Sequence, residues 1–312
     1  MSPKFSLNQM SQKKIIISLL GIFFLAGIFT VFFYHYTMDI KRLQVNSTGN
    51  LSIDSTSLSK PVVYLSVISR YPPNIIYHGY QPILDYLTSK TPYRFELKLC
   101  DDYNQAVQML ITKEVAAAFL GSYVYVKAHQ EYGIIPILKP LNENFEPFSR
   151  SVLFTNISSS IFSISDLKGK RIALPSKESF SNNWLMKRVL KQYSIRIDDL
   201  ARVNSFPHHQ SVIQAVKKNE YDAGVTREYL VKKIMNKSIR VLLYSDPVPT
   251  SPIVASADYP EDIIRAIKKT LLEITPSNPY RAVITRGWDN EFVYGFVEAT
   301  DRDYDIIRTI GR

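Results

Sequence analysis

The chain has 312 residues, 46% of them hydrophobic and 12% aromatic, which is the make-up of a folded protein with room for one or two domains. Its formal charge is +10, of which residues 1–42 carry +4 (Lys4, Lys13, Lys14, Lys41 and Arg42 against Asp39). With no Lys/Arg run and no nucleic-acid motif, this balance excludes a nucleic-acid module and leaves two readings: solvated surface charge, or affinity for small anions and anionic surfaces. Cys100 is the only cysteine. An intrachain disulfide, a multi-cysteine metal centre and an N-terminal lipoprotein anchor are therefore excluded, and the thiol is expected in the core.

The first predicted element is Ile15–Tyr34, "IIISLLGIFFLAGIFTVFFY", about twenty apolar residues without a charge and long enough to cross a bilayer as a helix. Lys13 and Lys14 precede it, and bulky residues ("HYTMDIKR") follow where signal cleavage needs small ones. The expectation is an uncleaved transmembrane signal anchor at 15–34, with residues 1–14 cytoplasmic and the rest of the chain extracytoplasmic. Residues 35–60, polar and without periodicity ("LQVNSTGNLSIDSTSLSK" from Leu43), read as a flexible linker.

From Pro61 the pattern alternates between strand and helix. "VVYLSVI" is a buried strand, "IIYHGYQPILDYL" a helix, "YRFELKL" a strand, "YNQAVQMLITK" a helix, "VAAAFL" a strand, "SYVYVKAHQEYG" a helix and "IIPILKP" a strand. After the loop "LNENFEPFSR" the alternation resumes with "SVLFTN", "RIALP", the helix "NNWLMKRVLKQY", "ARVNSF", the helix "HQSVIQAVKKN", "YDAGVT", "REYLVKKIM" and "IRVLLYS". "PEDIIRAIKKTLLEI" is a last long helix. This rhythm predicts a parallel α/β architecture in two lobes. The proline-rich "SDPVPTSPIV" reads as a second crossover, so lobe one spans 61–150 and 245–312 and lobe two 151–244. Loops after Ile68, Leu99, Leu174, Phe206 and Val225 would face the cleft, beyond the C-terminal ends of strands. Tyr71 lies in the first of them.

No G-x-S-x-G, Walker loop, G-x-G-x-x-G or H-E-x-x-H is present, so no enzyme, cofactor or metal site is expected. His208 and His209 are sequence neighbours and cannot share a metal from one helix face. Asp101 and Asp102 sit where one can cap the helix starting at Tyr103. In "LPSKESFSNNWLMKRVL", Ser179, Ser181 and Asn182 stand between a strand and a helix. One such residue suffices to cap; three on the predicted cleft side also suit an anion held at the helix N-terminus.

From Pro61 onward the chain resembles the substrate-binding proteins of phosphonate and phosphite ABC transporters, the PhnD-like group of type II periplasmic binding proteins. The resemblance rests on five patterns in order: "DDYNQAVQML", "AAAFLGSYVYVKA", "ISDLKGKRIAL", "HHQSVIQAVKKNEYDAG" and "DRDYDIIR". It implies a two-lobed clamp with two hinge crossovers that delivers a small oxyanion or phosphonate-like ligand to an ABC permease. A sensor module reporting to a membrane signalling partner is the alternative. It also implies ligand contacts from Ser179 and Ser181, from His209 and from Tyr103. Phe180 replaces the family's central threonine, Asn182 stands where glycine is common, Ser122 replaces a proline and Ser251 an amine-binding carboxylate. Arg227, if it faces the cleft, would favour a more anionic ligand.

Overall fold

The computed structural model describes residues 59–68 and 71–311, with a few positions between 20 and 28. The fold lies in the second of two units of the chain, Ser55–Arg312. Most of the predicted span Ile15–Tyr34 and nearly all of the predicted linker lie outside the described residues. Among the described residues no helix is long and apolar enough to cross a membrane.

Lobe one begins with strand β1 (Val62–Val67), helix α1 (Pro73–Lys90), β2 (Arg94–Leu99), α2 (Tyr103–Ile111), β3 (Ala117–Phe119), α3 (Ser122–Tyr132) and β4 (Ile135–Pro140). Proline in the first turn of α1 costs no hydrogen bond, because that N–H has no partner inside a helix. Ile76, Tyr80, Ile83, Leu84 and Leu87 then form one buried stripe along it. Asp102 caps α2, its carboxylate accepting from the Gln105 N–H at 2.8 Å, so the capping role expected for this aspartate pair is observed.

The chain leaves through a short strand, β5 (Phe148–Ser149), and builds lobe two: β6 (Ser151–Asn156), β7 (Arg171–Leu174), helix α4, β8 (Arg202–Ser205), α5 (His209–Lys217), β9 (Ala223–Arg227), α6 (Glu228–Val231) and β10 (Ile239–Tyr244). Helix α4 starts as Phe180–Asn183, runs through a π-helical stretch, Trp184–Val189, and ends as Leu190–Gln192. The return strand β11 (Val248–Pro249) pairs antiparallel with β5, so the two crossovers form one small ribbon. Back in lobe one come β12 (Ile253–Ala255), α7 (Glu261–Leu272), α8 (Arg281–Ile284), β13 (Phe296–Glu298) and α9 (Asp305–Arg308). The Tyr304 hydroxyl donates to the Thr250 carbonyl at 3.1 Å and ties the C-terminal segment to the returning crossover.

Sheet one has the order β13-β4-β12-β3-β1-β2 and sheet two β10-β6-β9-β7-β8. The parallel architecture expected from the alternation needs correction. β1–β2, β1–β3, β7–β8 and β7–β9 are parallel, but β6 runs antiparallel to β9 and β10, and β12 antiparallel to β3 and β4. The reason is topological: a strand that enters a sheet straight from a crossover arrives from the hinge side, without a helix to carry it back to the starting edge. β12 and β13, three residues each, are too short for a periodicity signal.

Each lobe has its own core. Lobe one packs Tyr80 against Phe119 and Phe292, with ring centroids 5.1 and 5.3 Å away, and Phe292 stacks on Phe296. Lobe two packs Val152, Val212, Ile213, Val216 and Ile239. Gly224 in β9 lets α5 approach: a Cβ there would lie 2.8 Å from Val212 Cγ1 and 2.9 Å from Val216 Cγ2. A further buried cluster joins Tyr103 and Tyr125 of lobe one to Phe180, Trp184 and Leu185 of lobe two, so the lobes are in contact.

Candidate functional site

The C-terminal end of β9 is the centre of the polar part of lobe two. Antiparallel pairing sets Ser151 opposite Arg227 and Val152 opposite Thr226, which brings the start of β6 to the same edge. Helix α4 begins at that edge. Ser181, in its first turn, lies 2.7 Å hydroxyl to hydroxyl from Ser151, and both side chains are about 1% exposed. His209, the first residue of α5, is 3.0 Å through Nδ1 from the Thr226 hydroxyl, and both are buried. The strand-to-helix loops after β7 and β8 thus deliver Ser181 and His209 to the same edge of sheet two, on its opposite faces.

The neighbours of Ser181 have local duties. The Ser179 hydroxyl accepts the Asn182 N–H at 3.1 Å and is an N-cap. The Asn182 side-chain amide donates to the Pro175 carbonyl at 2.8 Å and to the Ser205 hydroxyl at 3.2 Å, bracing the ends of β7 and β8. Asn183 holds the loop the same way, donating to the Lys177 and Ser179 carbonyls. Phe180 points into the buried cluster shared by the lobes and is 6% exposed.

Three further sequence candidates have partners elsewhere. Tyr103 opens α2 in lobe one and belongs to the same buried cluster as Phe180. Tyr71, in the loop after β1, has its hydroxyl 3.1 Å from that of Tyr229 in α6. Arg227, at the end of β9, donates through Nη1 to Glu291 of lobe one at 3.1 Å. Its charge is thereby balanced by the protein, which removes the reason for expecting a more anionic ligand.

The hydroxyls of Ser151 and Ser181 carry two O–H donors. The bond between them uses one. The second is a donor at a site closed to water. In lobe one the Ser251 hydroxyl, just past β11, and that of Ser66 in β1 are also buried without a partner among the described residues. No group of three His, Cys, Asp or Glu among the described residues could hold a metal.

Ser151, Thr226, Tyr229 and Glu291 were missed in the sequence. Ser151 and Thr226 had a usable signal, since both lie at strand ends beside a predicted crossover or cleft loop. Glu291 had none, because its element is an irregular loop that approaches lobe two only through the tertiary fold.

Residues 65–304 match a family model described as ABC transporter, phosphonate, periplasmic substrate-binding protein. The fold is similar to PhnD1 from Prochlorococcus marinus (MIT 9301) solved with methylphosphonate, with a TM-score of 0.71 and 17% identity over 80% of this chain and 97% of that one. It is similar to a binding-protein component of an ABC phosphonate transporter from Pseudomonas aeruginosa (TM-score 0.70, 16% identity, 80% and 85% covered). A Xanthomonas citri protein bound to ATP is also alike (0.63, 18%, 81% and 96%). At these identities the structural likeness speaks for the fold.

Proposed function

Because the chain belongs to the periplasmic substrate-binding proteins of phosphonate ABC transporters, a family of solute binders and not of enzymes, we propose that it captures a small oxyanion or phosphonate-like ligand by closure of its two lobes. In this reading 15–34 anchors the chain in the membrane, 35–60 is a tether, and the binding domain works on the extracytoplasmic face beside an ABC permease. Lobe one comprises 61–150 and 245–312, and lobe two 151–244. A mature N-terminus at or after His35, found by mass spectrometry, would remove the anchor from the proposal.

The observation that carries the ligand class is the spare O–H of the Ser151–Ser181 pair at the buried edge of sheet two, beside the start of α4, with the His209–Thr226 pair at the same edge on the other face of the sheet. A buried donor without an acceptor is costly, and an oxyanion supplies the acceptor. The proposed ligand set is Ser181 with the N–H groups of α4, His209, and Tyr71 and Tyr103 from the opposite lobe; Ser179 and Asn182 serve it as cap and brace of α4, and Arg227 lies near it. Hydrogen bonds to a charged group contribute roughly 1.5–3 kcal/mol each. Ser181→Ala should therefore weaken binding about tenfold to a hundredfold. The test is calorimetric titration of wild type and variant with the best of phosphate, phosphite, sulfate and methylphosphonate. An unchanged dissociation constant would mean that the site lies elsewhere.

A further inference from the structure

Three side chains within four residues leave lobe two and engage lobe one. Arg227 pairs with Glu291 at 3.1 Å, and the two side chains are only 11% and 4% exposed. Two residues on, the Tyr229 hydroxyl meets the Tyr71 hydroxyl at 3.1 Å. Leu230 packs on the lobe-one cluster that contains Val67, Tyr71 and Trp288, and also on the lobe-two cluster that contains Val152 and Val231. Ionic, hydrogen-bonded and apolar contacts between the lobes thus converge on one short stretch. Among the described residues the other ion pairs between the lobes, Lys127 with Glu178, Lys232 with Glu143 and Arg188 with Asp246 at the returning crossover, are far more exposed and contribute little.

A buried ion pair whose members sit on two moving bodies has a particular energetics. With the lobes apart, each charge is hydrated. With the lobes together, both are desolvated, and the attraction compensates only while both members are present. The pair therefore tolerates closure, and Arg227 left without Glu291 opposes it. Tyr229 and Leu230 add interactions that exist only when the lobes meet. We propose that Arg227–Leu230 is a closing latch: it holds lobe two on lobe one through Glu291, Tyr71 and the lobe-one core, so that the ligand-free protein populates the closed arrangement and a ligand enters only after the latch releases. The inference rests on the reading that ligand is captured by lobe closure. It adds that closure does not wait for the ligand. It also makes Glu291 a positioning residue, which keeps the Arg227 guanidinium on the lobe interface and not on the ligand.

The latch is testable without knowing the ligand. Lys90 ends α1 and Lys218 follows α5, two helices that both start at the strand ends facing the other lobe. Both lysines are exposed and lie at the far ends of their lobes. Spin labels at Lys90→Cys and Lys218→Cys, in a Cys100→Ser background, report the lobe-to-lobe distance by pulsed dipolar spectroscopy of the full chain in detergent. The expected result without any anion is one dominant short distance. Glu291→Gln should move the major population to a longer distance, lowering the closed-to-open ratio at least about tenfold. The reversed pair Arg227→Glu/Glu291→Arg should restore the short distance. Tyr229→Phe, which removes only a hydroxyl, should shift the ratio about threefold in the same direction and covers the case in which Glu291→Gln fails to fold. A distance distribution unchanged by both Glu291→Gln and Tyr229→Phe, or a reversed pair as open as Glu291→Gln, overturns the latch even if methylphosphonate binds. Opening by these variants in a protein that binds none of the four anions leaves the latch standing and removes the ligand reading instead.

Discussion

Lobe one faces its partner with aromatic rings: Tyr71 against Tyr229, Tyr123 against Lys187, and Tyr103 in the shared buried cluster. Lobe two adds Phe180, Trp184 and Tyr229 to these contacts and, at its sheet edge, short polar groups on regular backbone: Ser151 on β6, Ser181 on α4 and Thr226 on β9, with His209 on α5. The cores behind these faces differ in the same sense, ring on ring in lobe one and mostly aliphatic in lobe two. A hydroxyl has short reach, so its position is set by the strand or helix that bears it. A tyrosine covers much area with few rotatable bonds and tolerates small shifts of its element. In the proposed reading, the contrast would make lobe two a fixed donor wall and lobe one its cover.

The comparison can be broken by stressing each lobe where its backbone is tightest. Gly295, before β13, has φ +109, and a Cβ there would lie 2.1 Å from the Ile274 carbonyl oxygen. Both the backbone conformation and the neighbour are immovable, so Gly295→Ala should cost about 3–5 kcal/mol. At Gly224 of lobe two the two closest atoms are valine methyl groups, which can shift, and the Ala173 carbonyl oxygen is farther off at 3.3 Å. Gly224→Ala should cost less, about 1–3 kcal/mol. Urea unfolding measures both, and the two tryptophans separate the regions. Trp288 reports the core of lobe one and Trp184 the cluster between the lobes. If Gly224→Ala proved the more damaging, lobe one would be the more adaptable in its backbone as well as in its face.

A smaller change sharpens the reading of the donor wall. Ser179 and Ser181 are two residues apart, and their contacts assign them unlike duties. Ser179→Ala removes a cap and should cost about 1 kcal/mol of stability, with anion affinity nearly unchanged. A large loss of affinity in Ser179→Ala would show that its hydroxyl leaves Asn182 for the ligand, and that the wall is not fixed.

How much of this was legible in the sequence differs between fold and site. The strand–helix rhythm from Val62 to Tyr244 came through because its longer elements, such as α1 and β2, show their period and shorter ones, such as β3, stand out as apolar runs between them. The antiparallel strands did not, because direction within a sheet depends on which side the chain enters from, and nothing local to β6 or β12 records that. At the site, Ser181 could be named because it follows a strand and opens a helix, and His209 because the family resemblance implies a binding histidine there. The partnership of Ser151 with Ser181, and that of Arg227 with Glu291, could not. Each joins residues far apart in sequence, 30 and 64 positions, whose meeting is decided by sheet order and lobe contact.

The smallest expected effect concerns the end of lobe two away from this wall. Asp222 precedes β9 and clasps Arg171 at the start of β7: Arg171 Nη2 lies 2.7 Å from Oδ1, and Nε 3.0 Å and the backbone N–H 2.7 Å from Oδ2. The bonds from the Arg171 side chain, opposed by partial burial and aided by its backbone N–H, hold the Asp222 carboxyl below its ordinary range. A carboxylate with a depressed folded-state pKa stabilises the fold above the unfolded-state value, near pH 4, and that contribution disappears as pH falls from there through the folded-state value. Asp222→Asn should therefore lower the melting temperature at pH 7, by roughly 2 °C given the solvent exposure of the pair. The gap between wild type and variant should close as pH falls from 4 toward 2. Melting curves taken at half-unit steps of pH measure it. A gap that stays constant into acid would mean that geometry, and not charge, is what Asp222 contributes to lobe two.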